Sequence, residues 1–415
     1  MIRHELLSPA GDSEKLRAAI RFGADAVYCA GKQFGLRAAS TNFTEEELAE
    51  AVRWCHAEGK KLYVTVNVLP RDREYGELER YLRFLSGIEA DAVIVSDIGV
   101  VELVREKAPS LAVHISTQAS AVSAAACRAW HKMGASRVVL ARELTLDEIR
   151  ELRKGIPDSL ELEAFIHGAM CIAYSGRCLL SNFFTGRDAN RGECAQPCRW
   201  IYRTGENAAA IRFSEEKRPD QVLTAEEDDS GVFVMSSRDT CMIEHIPELM
   251  ESGITSFKIE GRVKSAYYAA VTANTYRMAM DAYSRDPSQY VFDPVWLSEL
   301  QSVSHREYGT GFYFAAPSET SNTVSSPGYI REKAYVALAV GSSDDSGTAP
   351  FLQRNKFTVG DRLELLTPGR PGLPFLSEYA EDSEGRSIPS APRPGMLFRL
   401  KTPFPVRNGD ILRMG

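Results

Sequence analysis

The sequence predicts an α/β protein: a TIM-like (β/α)8 barrel with a cysteine-bearing insertion, followed by a small C-terminal β-barrel. Three observations lead there. Short β-branched runs alternate with helical stretches at spacings of roughly 20–36 residues through the first two-thirds of the chain. Most of these runs are nearly continuously apolar, as expected of parallel strands covered on both faces. No G-x-G-x-x-G follows the first run, which counts against a dinucleotide-binding sheet, and eight or nine such runs fit a barrel better than a doubly wound sheet.

The candidate strands are ELLSPA (5–10), AVYCA (26–30), KLYVTVNV (61–68), AVIVSD (92–97), AVHISTQ (112–118), RVVLAR (137–142), LELEAFIHG (160–168), VFVMSS (232–237) and SFKIEG (256–261). Helices between them have recognisable starts and stops. Asp12 or Ser13 caps KLRAAIRFG, which ends at Gly23. Thr44 with Glu47 three residues on forms a capping box, stopped at Gly59. Thr145, followed by Asp147 and Glu148, opens a helix that ends near Gly155 and Pro157. A long helical stretch, SAYYAAVTANTYRMAMDAY, closes the barrel region, so the catalytic domain is placed at 1–285. Loops such as APSETSNTVSSPG make 286–329 a connecting segment, and GSSDDSGTAP is a further loop. From 330 to 415 strands and turns (AYVALAV, KFTVGDRLELLTPG, MLFRLKTP, GDILRMG) predict the terminal β-barrel.

The totals set limits on function. A chain of 415 residues, 44% hydrophobic and 25% charged, is a globular protein of two or three domains. No run of ~18 apolar residues spans a membrane. The start, MIRHELLSPAGDSEKL, lacks the apolar core of a signal peptide, which predicts a cytoplasmic location. A net charge of −7 gives no global case for nucleic-acid binding. Two local basic patches differ from that average. Arg177, Arg187, Arg191, Arg199 and Arg203 face only Asp188 and Glu193 between 171 and 203; Arg393, Arg399, Lys401, Arg407 and Arg413 face only Asp410 in the last 25 residues.

The strand–helix rhythm breaks once, after Gly168, where 169–232 forms an insertion too long for an ordinary βα loop. Because barrel chemistry sits at the C-terminal strand ends, an insertion there lies beside an active site. It carries half of the chain's eight cysteines: Cys171 and Cys178, then Cys194 and Cys198. In a reducing compartment such clusters are metal ligands or redox groups more often than disulfides. Four thiolates can hold zinc or an iron–sulfur cluster. The six residues between the first pair give a looser reach than structural zinc sites use, which suits a larger cluster. Cys241 is a spare fifth candidate, whereas Cys29, Cys55 and Cys127 lie in apolar patterns and read as core.

A second set of residues sits at predicted strand ends: Asn67, Asp97, Gln118, Arg142, Glu143, His167, Lys258, Glu260, Arg262 and Lys264. They line a catalytic mouth if they face inward, and form rim ion pairs if they do not. His167 reads equally as a proton donor, a cluster neighbour or a satisfied buried histidine. The chain has no H-E-x-x-H, no G-x-S-x-G and no P-loop. Its cysteines come clustered rather than singly, unlike those of a cysteine peptidase. Tyr174, Phe183, Phe184 and Trp200 alternate with arginines in the insertion, a pattern of base stacking that ordinary packing explains equally well.

The stretches ELLSPAGDSEKLRAAIRFGADAVY, AFIHGAMCIAYSGRCLLS, RGECAQPCRW, SFKIEGRVKS and NKFTVGDRLELLTP together resemble the collagenase-like peptidase family U-32. Within it, the chain is similar to the branch that makes 5-hydroxyuridine at the wobble position of tRNA with prephenate as co-substrate. The resemblance implies a tRNA uridine hydroxylase with an iron–sulfur cluster of 4Fe–4S type on Cys171, Cys178, Cys194 and Cys198, with Cys241 the alternative fourth ligand. It implies the tRNA anticodon region and prephenate as partners, and leaves a partner chain or a homo-oligomer open. Prephenate's two carboxylates favour arginine forks, for which Arg142, Arg177 and Arg262 are candidates with Lys264 beside them. Glu143, His167 and Glu260 are the candidate proton-transfer residues. The alternatives are a collagenase-like peptidase, or hydroxylation of another substrate such as ribosomal RNA or a quinone precursor.

Overall fold

Capped helices and doubly buried strands alternate along the N-terminal two-thirds of the chain. The computed structural model describes residues 4–36, 41–200, 210–215, 218–226, 236–320, 322–324 and 329–415. The first units are β1 (Glu5–Pro9), α1 (Ser13–Arg21), β2 (Ala26–Cys29), α2 (Glu45–Ala57), β3 (Lys61–Val66), α3 (Tyr75–Gly87), β4 (Ala92–Val95) and α4 (Ile98–Lys107). Next come β5 (Ala112–Ile115), α5 (Ala124–Lys132), β6 (Ala135–Val139), α6 (Leu146–Lys154) and β7 (Glu161–Ala169). The insertion contributes α7 (Leu180–Thr185) and an antiparallel hairpin of β8 (Ala210–Glu215) and β9 (Arg218–Glu226). Beyond it lie β10 (Asp239–Cys241), α8 (Ile246–Met250), β11 (Ser256–Ile259), α9 (Ala266–Arg285), α10 (Pro294–Gln301) and β12 (Tyr308–Gly309).

Strands β1 to β7 pair in parallel, each with the next, and β11 closes the cylinder by pairing in parallel with both β7 and β1. This is the expected eight-stranded TIM-like barrel. The helix starts follow local chemistry. Asp12 accepts from Lys15 N at 3.0 Å, and Thr44 with Glu47 and Thr145 with Glu148 form reciprocal capping boxes. Cys29, Cys55 and Cys127 are core residues. No helix among the described residues is long and apolar enough to cross a membrane.

Several elements differ from expectation. Strands β4, β5 and β6 stop two to three residues earlier, at Val95, Ile115 and Val139. Their polar tails have other duties: Asp97 accepts from Gly99 N and Val100 N to cap α4, and Ser116 opens a 3-10 turn. Residues 232–235 of the expected strand 232–237 lie outside the described residues. The described strand there is β10, antiparallel to the end of β7, with β12 parallel to it. The segment 286–329, read as loops, contains α10 and β12.

The barrel interior has a charged layer. Arg137 on β6 bonds Glu5 on β1 at 2.6 Å and Glu163 on β7 at 3.2 Å, while Lys258 on β11 bonds Glu163 at 2.6 Å. Burial works against ionisation of Glu5, and the Arg137 guanidinium still holds its carboxyl below the usual range.

The C-terminal strands are β13 (Tyr335–Ala339), β14 (Thr348–Gln353), β15 (Phe357–Thr358), β16 (Arg362–Leu366), β17 (Leu373–Leu376), β18 (Ala380–Asp382), β19 (Ser390–Ala391), β20 (Leu397–Lys401) and β21 (Ile411–Met414). Seven form one antiparallel sheet, ordered β17-β16-β21-β13-β14-β20-β18, around a core that includes Phe351, Phe357, Leu363 and Phe398. Strand β14 begins inside the expected loop GSSDDSGTAP. Its Pro350 accepts from Val340 N at 3.0 Å through its carbonyl, so a residue that reads as a strand breaker lies in an inner strand. The C-terminal basic patch is smaller than its composition. Arg399 is paired with Asp344 and Glu381, and Arg413 is buried.

Arg413 joins the two domains. Its guanidinium meets Glu299 of α10 at 2.6 Å, Glu364 of β16 at 2.7 Å and Ser302 Oγ at 2.9 Å. Replacing it with methionine strands two carboxylates at the junction. Arg413→Met should therefore destabilise the protein by about 3–5 kcal/mol, seen as an earlier urea midpoint; an unchanged midpoint would contradict this role.

Candidate functional site

The barrel mouth is roofed by the cysteine segment because of how β7 ends. Gly168 has φ 97°, and a Cβ there would come within 2.4 Å of Glu260 O, so only glycine lets the chain turn here. Gly176 (φ 81°) brings the segment against Gln118 in the 3-10 turn after β5, where a Cβ would lie 3.1 Å from that side chain. Arg191 fastens the far side to the β3–α3 loop, bonding Glu74 at 2.5 and 3.0 Å and Leu69 O at 3.1 Å. Ser237 Oγ donates to Met170 O at 2.6 Å.

Between roof and barrel lies a cavity of about 130 Å³. Its barrel wall includes Tyr28, Thr65, Ile94, Val139, Phe165 and Lys258, and its rim Asn67, Gln118, Arg142, Glu260 and Arg262. Cys171, Cys178, Cys194 and Cys198 all line the opposite wall. Burial pushes the Cys198 thiol up; Arg199 opposes this, and Cys171, Cys194 and Cys178 add to the rise. Among the described residues, no three His, Cys, Asp or Glu side chains converge as a single-ion site. These four thiols are the ones that could hold a soft-metal centre.

The cavity is rich in cations. Lys258 stands 4.3 Å from the Tyr28 ring centroid and 5.3 Å from that of Phe165; burial lowers its ammonium pKa while Glu163 supports the charge. Arg142 lies 3.9 Å from the centroid of Phe165 and donates to Ala169 O at 2.7 Å, leaving its buried Nε without a partner. Arg262 donates to Thr65 Oγ1 at 3.1 Å and to Leu36 O. Glu260 accepts from the Tyr28 hydroxyl at 3.2 Å.

The structure therefore brings Arg142, Glu260, Arg262 and the four insertion cysteines to one cavity. Other candidates lie elsewhere. His167 is buried within 6 Å of the Tyr268, Tyr276 and Tyr308 rings, outside the cavity lining; burial lowers its pKa to about 3, and its Nε2 has no partner. Cys241 lies opposite it on β10, 3.9 Å from the Tyr276 hydroxyl, its thiol pushed up to about 12 by burial. Lys264 donates to Ser304 O at 2.8 Å, and burial lowers its pKa to about 8. Arg177 is exposed, and Glu143, whose carboxyl burial raises, is not in the lining. Sequence reasoning passed over Tyr28 and Thr65. The alternation of β2 and β3 is their only signal, and it is hidden in continuously apolar runs.

Comparison with known proteins settles the lineage. The sequence pattern of peptidase family U32 matches residues 11–323, and that of the U32 C-terminal domain matches 331–413. The chain belongs to peptidase family U32. One U32 relative is the tRNA hydroxylation protein P1 of Bacillus subtilis, 39% identical over 99% of this chain and 94% of that one. Another is the tRNA hydroxylation protein P of Escherichia coli, 36% identical over 97% and 94%. A third, the 23S rRNA 5-hydroxycytidine C2501 synthase of Escherichia coli, is 37% identical over 68% of this chain and 40% of its own length.

In this U32 chain the roof depends on Glu74, whose carboxyl is lowered to about 2, first by its bond to Arg191 and then by Arg71 N. A depressed carboxylate adds stability above its unfolded pKa and loses it as pH falls through the folded value. The protection factors of amides across 180–199, taken relative to the intrinsic exchange rate at each pH, should therefore fall as pH drops from about 4.5 towards about 2. Glu74→Gln should show the same loosening at pH 7. Equal protection in variant and wild type would remove this anchor.

Proposed function

We propose that this chain hydroxylates C5 of a uridine at the wobble position of tRNA, in a reaction that requires prephenate and a 4Fe–4S cluster. The observation that carries the reading is that four cysteines, Lys258, Arg142 and Arg262 all line one roofed cavity at the C-terminal ends of barrel strands. Near-full-length likeness to tRNA hydroxylation proteins supplies the reaction class.

Cys171, Cys178, Cys194 and Cys198 would hold the cluster. When bound, it supplies a Lewis-acidic or electron-carrying centre at the cavity wall. Arg142 and Arg262 bind the carboxylates of a dianionic co-substrate. Lys258 sets a positive floor beneath it. Glu260, hydrogen-bonded to Tyr28, is the lining carboxylate placed to move a proton. The cysteine roof limits water.

A thiol peptidase would need a histidine against its nucleophile, and none is among the described residues lining the cavity. Hydroxylation of ribosomal cytidine is the second reading, favoured by the likeness to the rRNA synthase.

Mass spectrometry of nucleosides from tRNA and rRNA, in cells lacking this gene and in complemented cells, separates the readings. Complementation should restore 5-hydroxyuridine in tRNA. Serine at Cys171, Cys178, Cys194 or Cys198 should abolish it together with bound iron, while Cys241→Ser retains iron. Zinc or no metal in anaerobically purified wild type, or 5-hydroxycytidine restored in rRNA alone, would overturn the proposal.

Charge-assisted hydrogen bonds are worth ~1.5–3 kcal/mol. Arg142→Ala and Arg262→Ala should each raise the prephenate concentration for half-maximal modification by about ten-fold or more. An unchanged requirement would remove that arginine from the co-substrate site.

A further inference from the structure

The roof over the cavity has a second, outward face. On the inner side of α7, Leu180 and Ser181 line the cavity. Leu179 just before α7 and Phe183 and Phe184 within it are 71%, 80% and 47% exposed, and Trp200 is 37% exposed. Phe183 and Phe184 meet edge to face at 5.2 Å between centroids, and Phe184 and Trp200 lie 6.0 Å apart. Trp200 is fixed by its Nε1 donating to Ala195 O at 3.0 Å. Packing, which explained these rings as well as stacking did at the level of sequence, does not account for this exposure. Large aromatic clusters left in water mark interaction surfaces.

The charges of this segment are unequal. Arg177 and Arg187 are exposed, whereas Arg191 is tied to Glu74 and Arg199 to Gln196 and Met170 O. Exposed Glu193 is one acid of the segment; Asp188 is the other, and it accepts from Asn190 N.

We propose that this outer face is a stacking platform for a single-stranded nucleic-acid loop. Bases flanking the reacting nucleotide lie on Phe183, Phe184 and Trp200, and Arg177 and Arg187 meet the backbone phosphates. The choice of RNA rests on the hydroxylation reading above. Base extrusion takes one nucleotide out of its stack into the cavity, so the neighbours of that base must find surface outside it. Aromatic faces accept any base, and nearby arginines follow the backbone. Because α7 carries both the cavity wall and the platform, an extruded base and its neighbours can be held by one short helix.

The test measures anisotropy of a labelled anticodon stem–loop RNA, and of a blunt duplex of the same stem, with the full chain purified anaerobically. Wild type should favour the stem–loop. Phe183→Ala/Phe184→Ala should weaken loop binding by about ten-fold or more, with the salt dependence unchanged. Phe183→Leu/Phe184→Leu keeps the apolar volume without the ring faces and should weaken binding likewise. Arg177→Gln/Arg187→Gln should lower the slope of log K against log salt by ~0.7 per lost phosphate contact. Wild-type iron content in each variant shows that the cavity is intact. If wild type binds the loop and hydroxylates tRNA while both aromatic variants match it, the platform is refuted and the functional reading stands. If the aromatic pair instead breaks up a dimer and leaves RNA binding alone, the face is an interface between copies, which also refutes the platform. Wild type that neither binds nor hydroxylates tRNA would overturn both proposals.

Discussion

Glu163 holds the barrel's closing seam. This fully buried carboxylate on β7 takes Arg137 from β6 on one side and Lys258 from β11 on the other, and Arg137 continues to Glu5 on β1. Four strands that meet where the cylinder closes are thus tied by alternating charges instead of apolar contacts alone. A buried carboxylate is tolerable only when its partners are well placed, so the seam has one favourable register. The same arrangement leaves an ammonium at the floor of the cavity. The barrel's closure and the site's electrostatics therefore share a residue.

Much of this architecture is legible in the residues. Asp12, Thr44 and Thr145 announce helix starts because their side chains can satisfy free backbone N–H groups. Continuously apolar runs announce parallel strands. The break after Gly168 puts the cysteines over the mouth, and Arg142, Glu260 and Arg262 follow from their places at strand ends. Pro350 conceals β14, since a missing donor reads as a break.

His167 was beyond reach for a different reason. Phe165 pairs with Lys258, but Ile259 pairs with His167, so Ile166 is an extra residue at a bulge. One inserted residue reverses which face the following side chains occupy. Phe165 faces the cavity, while His167 joins Cys241 and the tyrosines outside it. Counting alternate positions cannot reveal a bulge. Lys264 escapes similarly, drawn away from the mouth by the carbonyl of Ser304.

The placement of β11 after the insertion has a consequence for biogenesis. Cys198 precedes Lys258 by 60 residues in the chain. A polypeptide growing from its N-terminus therefore presents all four thiols while the barrel still lacks the strand that supplies the cavity's floor and part of its rim. Anything seated on the thiols at that stage is enclosed when β11 arrives between β7 and β1. In the finished protein the same half-buried thiols are reached through the cavity beneath a roof anchored at Gly168, Gly176 and Arg191. Loading during synthesis and loading afterwards are thus physically different events for this fold.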